Sequence, residues 1–235
     1  MVKHTKLLVA LGSLLALGVV SGQAAVNSPS WLTYAKEYVE KDKRLIDESN
    51  APHNTTLQYL DDRNKVAVRL TQLPPIPVAE LAKLLSSSDA TERRAVMAAA
   101  MITQVNDMAF VQTVLKSYLE EDDYLVKFYS HGVVARLAAL QLKAIETQYL
   151  HALEHERVED AHLEGIPNLA RLDQNKVLPL LMRYLRFGSP GLRRAAVIQV
   201  ARMDMDFVAK VKKDLDRHKA KDALKLLREV EESPQ

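Results

Sequence analysis

Two stretches decide how this chain folds: Asp89–Ile102, DATERRAVMAAAMI, and Ser189–Met203, SPGLRRAAVIQVARM. They carry one device twice. Arg93 and Arg94 align with Arg193 and Arg194 at a shift of 100 residues (93 to 193), and Ala95 aligns with Ala195. The preceding Leu81 and Leu85 align with Leu181 and Leu185 at the same shift. Each copy opens as a helix opens. Asp89 is a capping residue, and Glu92 three positions on completes a capping box. Ser189 caps the second copy, and Pro190 then takes the first helical position, where its missing N–H costs nothing. Behind the arginines runs a string of small and medium apolar residues, alanines above all. A helix apolar nearly all round belongs between other helices, and alanine lets those neighbours come close.

Working outward, the same grammar continues on both sides. Val78, Leu81, Leu84 and Leu85 form the stripe of a short helix, with Ser86-Ser87-Ser88 as the turn into the first copy. Asn106-Asp107 caps a helix carrying Phe110, Val111, Val114 and Tyr118 inward, and Glu120–Asp123 is an acidic turn suited to a helix N-terminus. Leu178, Leu181, Met182 and Leu185 repeat the pattern before Gly188, which stops that helix. Asp204 or Asp206 caps 207–217, and 219–232 is the last helix. Beyond residue 25 only Gly132, Gly165, Gly188 and Gly191 remain, and no stretch alternates with period two. The expectation is an all-α fold.

The motif helices resemble the second helix of a HEAT-like repeat, whose pattern runs Asp-x-x-Val-Arg-x-x-Ala-Ala. Asp89, Arg93 and Ala95-Val96 fit the first copy, with Glu92 where valine is expected; Leu192 and Arg193–Ala196 fit the second, with Ser189 in place of the aspartate. Asp123–Lys127 is a weaker match with lysine for arginine, and 207–230 keeps the spacing without the motif. The resemblance covers about 78–126 and 177–230, with roughly 30–40 residues per helix pair. It implies a short α-solenoid in which Arg93 and Arg193 brace the turns through carboxylates such as Asp89. It also implies a concave surface that binds a protein partner, with Arg94, Arg194 and Arg202 as its candidate contact residues.

Three features lie outside the repeat blocks. Met1–Ala25 reads as a secretory signal peptide: Lys3, His4 and Lys6, then the apolar run 7–20, then small residues at the cleavage positions. Its removal takes two lysines and no acid from a chain of formal charge +2, leaving it neutral, which argues against nucleic acid as a partner. A periplasmic protein without a membrane anchor after cleavage is expected. Residues 26–73 read as an N-terminal helix pair, with Trp31, Tyr34, Tyr38 and Leu45 along one face, closed by the stiff elbow Pro74-Pro75-Ile76-Pro77. Residues 74–235 form the repeat domain, with a second block at 176–232. Between the blocks, Val134, Ala138, Ile145, Tyr149 and Leu153 keep one stripe past Ser130-His131-Gly132. This predicts one long inserted helix over 133–163, about 45 Å at 1.5 Å per residue, ended by Gly165-Ile166-Pro167.

Candidate chemistry is sparse. There is no cysteine, hence no disulfide and no thiolate. His151-Ala-Leu-Glu154-His155 resembles the His-x-x-Glu-His signature of pitrilysin-like zinc hydrolases, in which both imidazoles reach one zinc and the glutamate acts as base. That family's catalytic module is a much larger α/β unit, so a solvated helix face is the reading adopted here. A basic group between Lys210 and Lys221 is interleaved with Asp214 and Asp216 and reads as a solvated surface. The expectation is therefore a non-enzymatic periplasmic adaptor or scaffold that needs no cofactor, with a metal-dependent hydrolase using His151, Glu154 and His155 as the alternative.

Overall fold

The computed structural model describes residues 31–47 and 53–232, and among them the chain is all-α, with twelve helices and no strand. The segment 1–25, expected to be a signal peptide, and residues 48–52 lie outside the described residues. The chain divides into two compact units at Pro74 and Pro75.

In the first unit α1 (Trp31–Asp47) packs along α2 (His53–Thr71). Ala35, Tyr38, Val39 and Leu45 of α1 meet a core that includes Val66, Ala67 and Leu70, while Trp31 and Tyr34 stay half-buried. Arg63 is buried there and donates to Asp42 at 2.7 Å, with its guanidinium 5.8 Å from the Tyr38 ring centre.

The second unit holds ten helices: α3 (Val78–Leu85), α4 (Ala90–Ile102), α5 (Met108–Glu120), α6 (Tyr124–Ala135), α7 (Ala139–His155), α8 (Glu159–Leu169), α9 (Gln174–Phe187), α10 (Pro190–Val200), α11 (Met205–Arg217) and α12 (Lys221–Glu232). The even-numbered helices form a row in which each touches the next, α4 to α6 to α8 to α10 to α12. Of the odd-numbered ones, α3 packs on α5, α5 on α7, and α9 on α11. Helix starts recur with a steady stride. The residues preceding the even-row helices are Asp89, Asp123, Val158 and Ser189, which are 34, 35 and 31 apart. Those preceding the odd-row helices are Pro77, Asp107, Ala138, Asp173 and Asp204, which are 30, 31, 35 and 31 apart. The 100-residue shift between the two motif helices is three such strides along the even row.

The caps are made as the residue types dictate. Asp89, Asp107, Asp123, Asp173, Ser189 and Asp204 each accept a backbone N–H from the first turn of the helix that follows. In α4 the seven residues Ala95 to Met101 are all buried, as an alanine-rich helix between neighbours must be.

The long inserted helix is not formed. Residues 133–163 fall instead into the end of α6, all of α7 and the start of α8, with bends at 136–138 and 156–158. Ser130-His131-Gly132 lies inside α6, and Gly165-Ile166-Pro167 lies inside α8. Neither bend carries a glycine or proline, which is why local sequence reads straight through both. Long-range polar groups hold the first bend. Arg171, from the turn after α8, donates to the carbonyls of Ala135 and Leu137, and Gln141, which accepts the Ala138 N–H, donates to the Asn106 carbonyl at 2.9 Å. At the second bend the Glu156 carboxylate accepts the N–H groups of Arg157 and Val158. The break lets α8 turn back and take its place between α6 and α10, so the spacing runs on without interruption.

Candidate functional site

The groups with the most distinctive chemistry sit inside the second unit, where α5 to α9 meet. His131 of α6 is buried and held from both sides of its ring: the Tyr118 hydroxyl lies 3.1 Å from Nε2 and the Tyr149 hydroxyl 2.9 Å from Nδ1. Asn168 of α8 donates to the Tyr149 oxygen at 3.0 Å and to the His131 carbonyl at 3.3 Å. The Tyr118 side chain also lies beside Glu156, whose carboxylate Lys127 reaches through both oxygens at 2.9 Å. Lys127 and Glu156 are both buried, and the ammonium sits 5.1 Å from the Tyr118 ring centre. A second buried histidine, His162, lies 3.0 Å by its Nε2 from the Glu156 carbonyl and 2.7 Å by its Nδ1 from the Tyr184 hydroxyl.

Donor counting constrains the network. Neutral His131 carries one ring proton and meets a tyrosine hydroxyl at each ring nitrogen, so it donates to one and accepts from the other, while the Tyr149 oxygen also takes the Asn168 amide and lies 3.4 Å from the Gly165 carbonyl. For His162 a carbonyl can only accept, so Nε2 carries the proton and Tyr184 donates to Nδ1. Both histidines are neutral in this arrangement. Burial lowers the His131 pKa from 6.5 to about 3 and lowers that of His162 as well. Burial alone would raise Glu156; its bonds from Tyr118, the Val158 N–H, Lys127 and the Arg157 N–H outweigh that and hold it below the ordinary carboxylate range. Burial raises Tyr118, Tyr149 and Tyr184 above the ordinary phenol value. Each ring nitrogen and the carboxylate has a protein partner, so the network ties five helices together through fully engaged groups.

The sequence reading does not anticipate this site. Glu156 and His162 lie in the highly charged stretch that follows His155, and both are buried. The available signal was a set of histidines, tyrosines and one Lys–Glu pair on otherwise apolar faces. Only the folding back of α8 brings them together.

The His-x-x-Glu-His residues lie elsewhere. His151, Glu154 and His155 are all exposed on the last turns of α7. The two imidazole rings are 4.1 Å apart, and His155 Nδ1 is bonded to the His151 carbonyl at 2.9 Å. Among the described residues no group of three His, Asp or Glu side chains is placed to hold a metal ion.

The arginine pairs differ between the two copies. Arg93 grips Glu121 with a fork, Nε to Oε2 at 2.8 Å and Nη2 to Oε1 at 3.1 Å, and its Nη1 donates to the carbonyls of Ser87 and Ser88. The brace partner is thus Glu121 on the next turn along the row, and not Asp89. Arg94 is engaged with the Asp123 carboxylate at 2.5–3.0 Å, so this candidate contact residue is committed within the unit. Burial opposes ionisation of Glu121 and Asp123, and the two guanidiniums hold both below the usual range. Arg193 keeps only the backbone half of the grip, donating to the Gly188 carbonyl at 3.2 Å. The nearest carboxylate to it, Asp222, is 3.7 Å away and 89% exposed. Arg194 and Arg202 are exposed.

This contrast carries an expected result. Arg93→Ala breaks a half-buried charge-assisted fork and lowers stability by about 1–3 kcal/mol in urea melts, whereas Arg193→Ala costs under about 1 kcal/mol. Equal costs for the two would show that the fork contributes nothing. No helix among the described residues is long and apolar enough to cross a membrane. No protein-family model, curated protein or solved structure matches this chain.

Proposed function

We infer that this chain is a HEAT-like helical-repeat scaffold, exported to the periplasm through a cleaved signal peptide, that binds a protein partner on its helical surface and catalyses no reaction itself. The observation that carries this reading is the stride: helix starts recur every 30–35 residues, and in the even-numbered row each helix contacts the next. Proteins built in this way extend one surface over many repeats and use it for binding. The step from such a fold to binding is an analogy. Large apolar side chains left exposed at helix ends suit a contact surface: Leu140 at the start of α7, Phe187 at the end of α9 and Met205 at the start of α11, the last 87% exposed.

Photo-crosslinking residues placed at 140, 187 and 205 of the native, exported chain test it. The expected result is one discrete protein adduct at one or more positions, on a chain whose N-terminus lies near Ala25. Absence of any adduct, together with stoichiometric zinc and a hydrolytic activity that His155→Ala abolishes, would replace the scaffold by the hydrolase.

A further inference from the structure

Arg193 is a guanidinium with half its partners missing. Its Nε is buried and has no hydrogen-bond partner, an uncommon and costly state for a charged donor. The equivalent group in the first motif helix shows what the position is built to hold. Arg93 gives one edge to backbone carbonyls, that of Ser88 included, and its Nε–Nη2 edge to a carboxylate 28 residues ahead, Glu121. Arg193 donates through Nη2 to the carbonyl of Gly188, which is Ser88 shifted by the same 100 residues, and its Nη1 lies 3.7 Å from the Asp222 carboxylate. The turn that holds Glu121, between α5 and α6, reads Glu121-Asp122-Asp123; the equivalent turn, between α11 and α12, reads His218-Lys219-Ala220, and Lys221 follows it. The sign of the charge facing the arginine is reversed.

The space is open. Arg193 lines a shallow pocket of about 260 Å³ together with Arg186, Lys219, Lys221 and Asp222. Four cations thus face one carboxylate, and that carboxylate is almost fully in solvent. The helix that begins at this pocket, α12, follows Ala220, which has no side-chain oxygen with which to cap it. Beside the cations stands Phe187, 72% exposed, with the Arg186 guanidinium 4.6 Å from its ring centre. An arginine fork, a ring of positive charge and an exposed aromatic side chain are the elements of a contact that anchors an acidic residue next to an apolar one.

We propose that this pocket binds a carboxylate of an acidic segment of a partner protein, which takes the place at Arg193 that Glu121 takes at Arg93, while Phe187 packs on the neighbouring apolar residue. The proposal deepens the partner-binding reading and rests on it. The two fail separately, because cross-linking through residues 140 and 205 does not involve this pocket.

The test follows the Arg193 Nε–Hε resonance of the isotope-labelled mature chain by NMR. The probe is a terminally blocked peptide of alternating glutamate and leucine. Saturable movement of that resonance is expected, with none from the same peptide carrying glutamine for glutamate. Lys221→Glu supplies the missing carboxylate from within the chain. Lys221 is exposed, so the fold tolerates the change, and the variant should bind the peptide at least tenfold more weakly and melt at a higher temperature than the parent. An unmoved Arg193 resonance, or unchanged peptide affinity in Lys221→Glu, overturns the proposal. Inorganic phosphate or vesicles of anionic lipid moving the resonance while the peptide does not would overturn it in favour of a phosphate or a membrane ligand.

Discussion

Lys127→Met is expected to lower stability by about 3–5 kcal/mol. Methionine preserves the length and most of the volume of the lysine stem, so the loss is electrostatic. Without the ammonium, Glu156 stays buried between α6 and α8 and keeps only Tyr118 and two backbone N–H groups. Those bonds do not cancel a buried negative charge. The double variant Lys127→Met with Glu156→Gln should recover much of the loss, since a neutral amide can still accept the Arg157 or Val158 N–H. Urea melts of the two single variants and the double variant decide it. Additive losses in the double variant would mean that the ion pair is not a coupled unit.

The second large effect is a dependence on acid. His131 has a folded pKa of about 3 and an unfolded value of 6.5, and His162 is shifted the same way. Below pH 6.5 the unfolded chain takes up protons that the folded chain refuses, so stability present above that pH is lost as the pH falls toward the folded value. Each histidine contributes a slope of up to about 1.4 kcal/mol per pH unit in that window. Below about pH 4.5 the lowered carboxylates Glu121, Asp123, Glu146 and Glu156 add losses of the same sign. Denaturant melts should therefore show stability falling steadily from pH 6.5 to 4.5. His131→Phe with His162→Phe should flatten that range while lowering the plateau above it. A wild-type profile flat between pH 7 and 5 would mean that neither histidine is held neutral by the fold.

The network behind both predictions also bears on why an apolar interior would carry so many polar groups. The small side chains of the alanine-rich α4 by themselves specify its packing register weakly. A histidine that must meet Tyr118 on one side and Tyr149 on the other admits one register. A fully engaged polar network of this kind selects one arrangement more than it adds net stability.

Local sequence determined the helices and most of their ends. Asp89, Asp107, Asp123, Ser189 and Asp204 cap what their spacing says they cap, because a cap involves only the residue and the turn that follows it. The arginine pairs and alanine runs marked α4 and α10 as equivalent, and the apolar stripes placed their buried faces. Tertiary structure decided what no short window contains. The apparent single helix over 133–163 became parts of three because one bend is held by Arg171, from the turn after α8, and the other by Glu156, which Lys127 of α6 fixes in place. Tyr118, Lys127, His131, Glu156, His162 and Asn168 became one network only when α8 folded back beside α6. Identical Arg-Arg pairs also came to differ, one gripping Glu121 and the other facing Lys221, because the partner of each is set some 28 residues away. Backbone bonds and caps act over three or four residues and can be read along the chain, whereas the balance of buried charge is settled by which turn the fold brings alongside.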